Sequence, residues 1–367
     1  AISGLKRSGR SGGSDAAVAA AFAVLKQQAW ARQEAGAALN ELNDAGRLAW
    51  EWAEQYDHSI SYFPTFAAVG QTLFPATGHR HAKSGGLDRH LDRRLDIDFS
   101  GTVFSRTCRD SFLALALPLF EATPLALQPA AIVDTGAGDG SLLCELYRAI
   151  RDRTLRGGAL GEYPLTMVGV EPSPIAREVT SKSLREAGAN CVVIDGDIGD
   201  PDTIARRLAP MGVDFAAALH VSKSVIHDRS YRPAEQRLTP QSDLPWPQSD
   251  AVFVGDDDEL IPHGALQDDL VGHFGRWLPW IGRHGMIAIE VHTVPAKLIA
   301  AHEGGNVMTS LDASHGYSHQ YLVERPTYLR AAAEAGLVSV ACRSLAAEML
   351  GTPIMTIDHW QTASRIP

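Results

Sequence analysis

Cysteine is scarce in this chain and follows no pattern. Cys108, Cys144, Cys191 and Cys342 lack C-x-x-C spacing, which argues against a zinc site or a disulfide framework and for reduced thiols. Positive charge is also short: 33 Lys and Arg stand against 43 Asp and Glu, for a formal net charge of −10. A nucleic-acid backbone would find no electrostatic footprint here. No apolar run approaches the roughly 20 residues of a membrane span, and no charged-then-apolar leader precedes a cleavage site. These absences predict a cytoplasmic protein with neither nucleic-acid nor membrane partners. Internal repeats and low-complexity tracts are missing too, and residues 1–15, rich in Gly, Ser, Lys and Arg, read as a flexible lead-in.

What is present centres on A-I-V-D-T-G-A-G-D-G-S-L-L at 131–143. The first four residues form a short apolar run without polar alternation, as a buried parallel strand does. Gly136, Gly138 and Gly140 follow as a turn in which Cβ atoms would obstruct a ligand lying on the backbone. From Ser141 onward Leu142, Leu143, Leu146 and Ile150 recur at helical spacing. Strand, glycine turn and helix N-terminus together predict a nucleotide-type site at the carboxyl edge of a sheet. A dinucleotide fold would show G-x-G-x-x-G facing a pyrophosphate. Here D-x-G-x-G-D-G sets Asp134 and Asp139 beside the turn, and two carboxylates suit a ligand carrying an ammonium and a sulfonium. S-adenosylmethionine (SAM) is such a ligand.

The rest of the chain alternates. Strands are predicted at 132–134, 166–171, 191–195, 215–221 and 285–292, with helices at 141–153, 174–187, 202–208, 267–281 and 327–336 and an apolar stretch at 338–342. This order predicts an α/β fold, a doubly wound, mostly parallel Rossmann-like sheet. Upstream, Ala-rich residues 16–56 predict two or three helices, 63–90 is loop-rich, and helices are expected at 87–95 and 105–122. The division expected is a helical N-terminal lid over 1–122 and a core over 123–367. The Pro-, Gln- and Asp-rich connection 230–263 exceeds an ordinary βα link, as lids and binding loops do.

Residues at the strand ends carry the chemistry. Glu171 can accept from the ribose hydroxyls of an adenosine cofactor, its late position explained by the insert at 154–164. Asp197 with Ile198 offers an acceptor for the exocyclic amine of adenine and an aliphatic cover for its ring. His220, His227, Asp228, Glu290 and His292 are expected to converge in the crevice where all strand C-termini meet. Imidazoles, carboxylates and a carboxamide suit a divalent iron or manganese ion; a metal-free histidine base is the alternative. His79 with His81 and His315 with His319 have ligand-like spacing without being specific.

In this order D-T-G-A-G-D-G, V-G-V-E and I-D-G-D-I resemble the class I SAM-dependent methyltransferases. L-D-R-H-L-D-R-R-L, D-R-T-L-R-G, L-H-V-x-x-x-V-I-H-D-R, G-M-I-A-I-E-V-H and S-H-Q-Y-L-V-E narrow the likeness. They resemble the C-methyltransferase domains of polyketide synthases, especially the metal-dependent loading-module type of the apratoxin and gephyronic acid synthases. The resemblance runs over about 87–337. It implies methylation of the α-carbon of a malonyl or methylmalonyl group on an acyl carrier protein, within a larger polyketide synthase. It also implies one iron or manganese ion held by His227, Asp228, His292 and Gln320. Glu290, His220 and His292 are then the candidate catalytic groups. Asp134, Gly136, Gly138, Asp139, Gly140, Glu171, Asp197, Ile198 and His220 would hold SAM. One departure stands out: Ser222-Lys-Ser224 replaces the family's usual Arg-Ser-Phe after L-H-V. O- or N-methylation of a free small molecule by a histidine base is the rival reading, and a non-catalytic SAM-binding module is another.

Overall fold

The computed structural model describes residues 23–32, 41–52, 57–67, 92–233, 245–255, 259–302, 308–345 and 350–365. Its centre is a seven-stranded sheet. The strands are β1 (Ala131–Thr135), β2 (Thr166–Val170), β3 (Asn190–Ile194), β4 (Leu219–Lys223), β5 (Met286–Val291), β6 (Leu337–Leu345) and β7 (Met355–Thr362). Their spatial order is β6-β7-β5-β4-β1-β2-β3. β3, β2, β1, β4 and β5 run parallel, whereas β7 pairs antiparallel with both β5 and β6. The expected mostly parallel, doubly wound sheet is thus present, with an antiparallel pair at one edge. β1, buried at every residue, lies inside the sheet between β4 and β2, and its carboxyl end opens where the strand order reverses.

The helices used below are α1 (Arg93–Val103), α2 (Arg109–Ala116), α3 (Ser141–Arg153), α4 (Pro174–Glu186), α5 (Pro201–Leu208), α6 (His263–Trp277), α7 (Met308–Tyr317) and α8 (Arg325–Glu334). Local chemistry sets their starts. Asp92 caps α1 by accepting the Leu95 N–H, and Ser173 and Asp200 cap α4 and α5, each followed by a proline with φ already helical. Two apolar layers flank the sheet. One gathers Ile204, Leu208, Phe274, Trp277 and Trp360, and the other Phe104, Phe112, Leu143, Leu146 and Ile289. None of the described helices is long and apolar enough to cross a membrane.

Several predicted elements shift. The fourth strand begins at Leu219, not at 215, because residues 215–217 form a turn in which the Ala217 and Ala218 N–H groups bond back to Asp214 and Phe215. The helix expected at 105–122 is a π-helical turn at Phe104–Cys108, then α2, then a 3-10 turn at Leu117–Phe120 containing Pro118. α6 starts four residues early, at His263 against 267. β7 has no counterpart among the predicted strands: its buried Thr356, Asp358 and His359 break the apolar run that marks an internal strand. In the N-terminal region the described part includes a helix at Asp44–Trp52 and short helices at Asp57–Ser61 and Phe63–Ala67. Much of 1–91, including His79 and His81, lies outside the described residues, as do 234–244 of the long connection.

One buried ion pair fastens the segment after β4. Arg229 Nε donates to Asp269 Oδ2 on α6 at 2.8 Å, and Arg232 N–H donates to Asp269 Oδ1 at 3.0 Å. Both side chains are at most 1% exposed. Asp269→Ala leaves the guanidinium buried without its counter-charge and is expected to lower unfolding stability by about 3–5 kcal/mol in urea titration. Replacing both partners with apolar residues, Arg229→Met with Asp269→Leu, should recover most of that loss.

Candidate active site

The glycine turn is built from backbone hydrogen bonds across β1 and β2. The Gly136 and Ala137 N–H groups both donate to Val170 O, at 2.8 and 3.3 Å. Gly136, Gly138 and Gly140 adopt φ of +84°, +56° and +79°, a region that L side chains rarely occupy. At Gly136 a Cβ would also collide with Val225, so the segment after β4 presses directly on the turn. Glu171, just past β2, accepts from the Gly138 N–H at 3.2 Å and the Ser173 N–H at 3.1 Å. Asp139 accepts from the Ser141 N–H and hydroxyl at 2.9 and 2.6 Å, at the first residue of α3. α1 lies over the turn: a Cβ at Gly101 would meet Asp139.

This corner buries three carboxyl groups beside one another. Burial, with Glu171 adding to it, pushes the Asp134 carboxyl up to about 8, and its Oδ1 is buried without a hydrogen-bond partner. Burial likewise raises Asp139 and Glu171 against the bonds from Ser141, and from Ser173 and Gly138. A cavity among Ser100, Gly101, Gly138 and Lys223 opens onto Asp134 and Asp139. A cationic ligand would restore to Asp134 the charged form that burial disfavours. The residues present therefore fit SAM. At the end of β3 Asp197 is exposed and accepts the Gly199 N–H at 2.7 Å, while Ile198 is buried and its carbonyl accepts Trp277 Nε1–H at 2.9 Å.

A second polar cluster lies at the ends of β4 and β5. His227 Nδ1 is 2.5 Å from Glu290 Oε1, with both side chains almost fully buried. Glu290 is itself fixed by the Ile226 N–H at 3.0 Å and its neighbour Val291 N–H at 2.8 Å. Burial works against charge on His227, but the Glu290 carboxylate outweighs it and holds the ring above the usual imidazole value. In return, Glu290 stays below the usual carboxylate value: burial opposes its ionisation and His227 overcomes that. A carboxylate at Nδ1 leaves Nε2 as the nitrogen that can take up or release a proton. His315 of α7 stacks edge-on at 4.9 Å from His227, and His58 lies 5.6 Å beyond it. Burial holds both of these imidazoles below their usual value.

Not every predicted residue joins these two clusters. His220 is a core histidine: because β4 starts late, it sits near the strand's beginning, packed on Phe215 and Trp277 with Nε2 3.0 Å from Trp280 O. Burial lowers it to about 4. His292 directs Nε2 to Thr356 Oγ1 at 2.8 Å, and Thr356 donates on to Asp358, which Arg325 holds. Burial brings His292 to about 4 as well. The Gln320 amide donates to Tyr62 Oη at 2.8 Å, and Asp228 is exposed. His227, His292 and Gln320 thus each bond to a different partner, and among the described residues no group of three His, Cys, Asp or Glu could hold a metal ion. His319 turns away from His315 toward Val254 O. The sequence reading missed the pairing of His227 with Glu290, the approach of His58 and Tyr62, and Lys223, whose Nζ donates to Ser100 Oγ at 2.8 Å. In the sequence its segment, Ser222-Lys-Ser224, stands out only as a departure from the family pattern, with no ligand role attached.

Residues 88–346 match the family described as the AprA MT2-like domain. No curated protein matches the chain in sequence. Among solved structures, LaPhzM aligns with a TM-score of 0.50 at 11% identity, covering 97% of this chain and 87% of its own. The mitomycin 7-O-methyltransferase MmcR gives 0.48 at 13% identity over 97% of this chain and 86% of its own. The CurJ carbon methyltransferase gives 0.44 at 11% over 93% and 78%. At such identities the likeness concerns the fold alone.

Linkage sets a pH window for the His227–Glu290 pair. His227, raised, adds stability below the ordinary imidazole value and loses it as pH climbs through its own pKa. Glu290, lowered, adds stability above the ordinary carboxylate value and loses it as pH falls through its own. The pair is therefore most stabilising between about pH 4.3 and 6.5. In an NMR titration His227 should titrate above a free histidine, and Glu290→Gln should move it to lower pH, because burial then loses its main opponent.

Proposed function

Because the chain belongs to the AprA MT2-like family, and is thereby a SAM-dependent methyltransferase, we propose that it methylates the α-carbon of a malonyl- or methylmalonyl-type group carried on an acyl carrier protein, as part of polyketide assembly. The observation that carries this reading is the buried His227–Glu290 pair, two residues along from the Val225 that presses on the glycine turn. A carbon flanked by a thioester and a carboxylate is a weak acid. Its deprotonation calls for a base stronger than an ordinary imidazole, placed out of water beside the methyl donor.

Bound SAM supplies a methyl group made electrophilic by its sulfonium. The chain's own groups do the rest. Asp134 and Asp139 offer negative charge to the cationic portion, Glu171 accepts from the ribose hydroxyls, and Asp197 with Ile198 meets the adenine. His227 Nε2 removes the α-proton, and the electron pair left on carbon forms the new carbon–carbon bond as the methyl–sulfur bond breaks and its pair returns to sulfur. Glu290 stabilises the imidazolium that results and holds the ring in the tautomer whose Nε2 is free. Orientation of the two reacting carbons supplies much of the remaining acceleration. His220 and His292, each engaged elsewhere by Trp280 and Thr356, take no part. No step is routed through a metal ion: among the described residues no group of three His, Cys, Asp or Glu is placed to hold one.

The test is intact-mass analysis of malonyl- and methylmalonyl-loaded carrier protein after incubation with SAM. One added methyl group is expected. His227→Gln should slow transfer about 100- to 10,000-fold with SAM binding retained. The rate should rise with pH through the raised His227 value, and in Glu290→Gln that rise should shift to lower pH. Methylation of a free small molecule, with none of any carrier, would overturn the carrier reading in favour of an O- or N-methyltransferase.

A further inference from the structure

The glycine turn is commonly the part of such a site that receives anions, through free N–H groups at a helix N-terminus. Here the N–H groups of the turn's three glycines are already occupied. The N–H groups of Gly136 and Ala137 bond to Val170, that of Gly138 to Glu171, that of Gly140 to Ala137, and that of Ser141 to Asp139. SAM nevertheless brings an anion of its own, the carboxylate of its methionine part, into a corner already lined by Asp134 and Asp139. Among the described residues lining that cavity, Lys223 is the cation. Its place in the chain is where the segment L-H-V-S-K-S leaves β4.

We propose that Lys223 is the residue that receives the methionine carboxylate of SAM, its ammonium bridging that carboxylate and Ser100 of α1. The proposal rests on SAM being the cofactor. An ammonium has three N–H groups; one reaches Ser100 Oγ at 2.8 Å, which aims the head group at the space between α1 and the turn. Asp96, Asp139 and Glu290 all face it electrostatically, so it sits between the cofactor corner and the His227 pair. Burial holds its pKa below the usual lysine value, as expected of a charge awaiting an anionic partner. The ligand is then sorted by charge: ammonium and sulfonium to the Asp134 and Asp139 side, carboxylate to Lys223. α1 closes over the methionine part through the Lys223–Ser100 bond.

The test deletes the carboxylate from the ligand and the charge from the protein separately. Calorimetric binding of SAM and of decarboxylated SAM is measured with the wild type, Lys223→Gln and Lys223→Arg. Glutamine keeps a donor for Ser100 while removing the charge; if that variant fails to fold, Lys223→Met takes its place. The wild type should bind SAM about 10- to 100-fold more tightly than decarboxylated SAM, the worth of one charge-assisted hydrogen bond. That preference should vanish in Lys223→Gln and persist in Lys223→Arg. Equal weakening toward both ligands in Lys223→Gln would make Lys223 a latch for α1 only, and an undiminished preference would place the carboxylate elsewhere; either overturns the assignment. If the wild type binds neither ligand, the SAM reading itself fails.

Discussion

The site depends on how the glycine turn is tied to the strand beside it. Val170 O takes two N–H groups from the turn and Glu171 takes a third, so β2 determines where the backbone after β1 can go. Positive φ at Gly136, Gly138 and Gly140 makes that path available, and the close approach of Val225 leaves no room for a side chain at Gly136. A single crossing of sheet neighbours therefore fixes three things together: the floor of the cofactor cavity, the direction of α3, and the position of the segment that carries His227.

Two buried electrostatic environments then sit side by side with opposite character. In the cofactor corner, Asp134, Asp139 and Glu171 are pushed toward their neutral forms by burial, which the cations and hydrogen bonds near them do not outweigh. In the neighbouring cluster, His227 and Glu290 supply each other's counter-charge and each favours its ionised form. The first arrangement is suited to accept a cation from outside. The second needs no ligand to be complete and can instead exchange a proton. Lys223 stands between them and responds to carboxylates on both sides.

Much of this was legible residue by residue. The apolar run at 131–135, the D-x-G-x-G-D-G turn and the leucine spacing of α3 are local patterns, and the α3 limits of 141 and 153 follow from them. The histidines were a different matter. A strand start placed at 215 sends His220 to the crevice, whereas the turn at 215–217 delays β4 and leaves His220 under Trp277. β7 escaped notice because Thr356, Asp358 and His359 are polar; their burial is justified only by partners such as Arg325, His292 and the His284 carbonyl, on other elements.

Local sequence by itself determined the alternating α/β order, the glycine turn and the acidic residues around it, because strand burial, helix capping and left-handed turns are governed by neighbours within a few positions. Only the tertiary structure decided which histidine meets which acid. His227 and Glu290 are separated by 63 residues, and they pair because parallel β4 and β5 lie side by side and end together. Likewise, Lys223 acquired its place from α1 packing over the turn, a contact spanning 123 residues. A side chain's partner depends on which strand lies next to its own, and that adjacency is a property of the folded sheet.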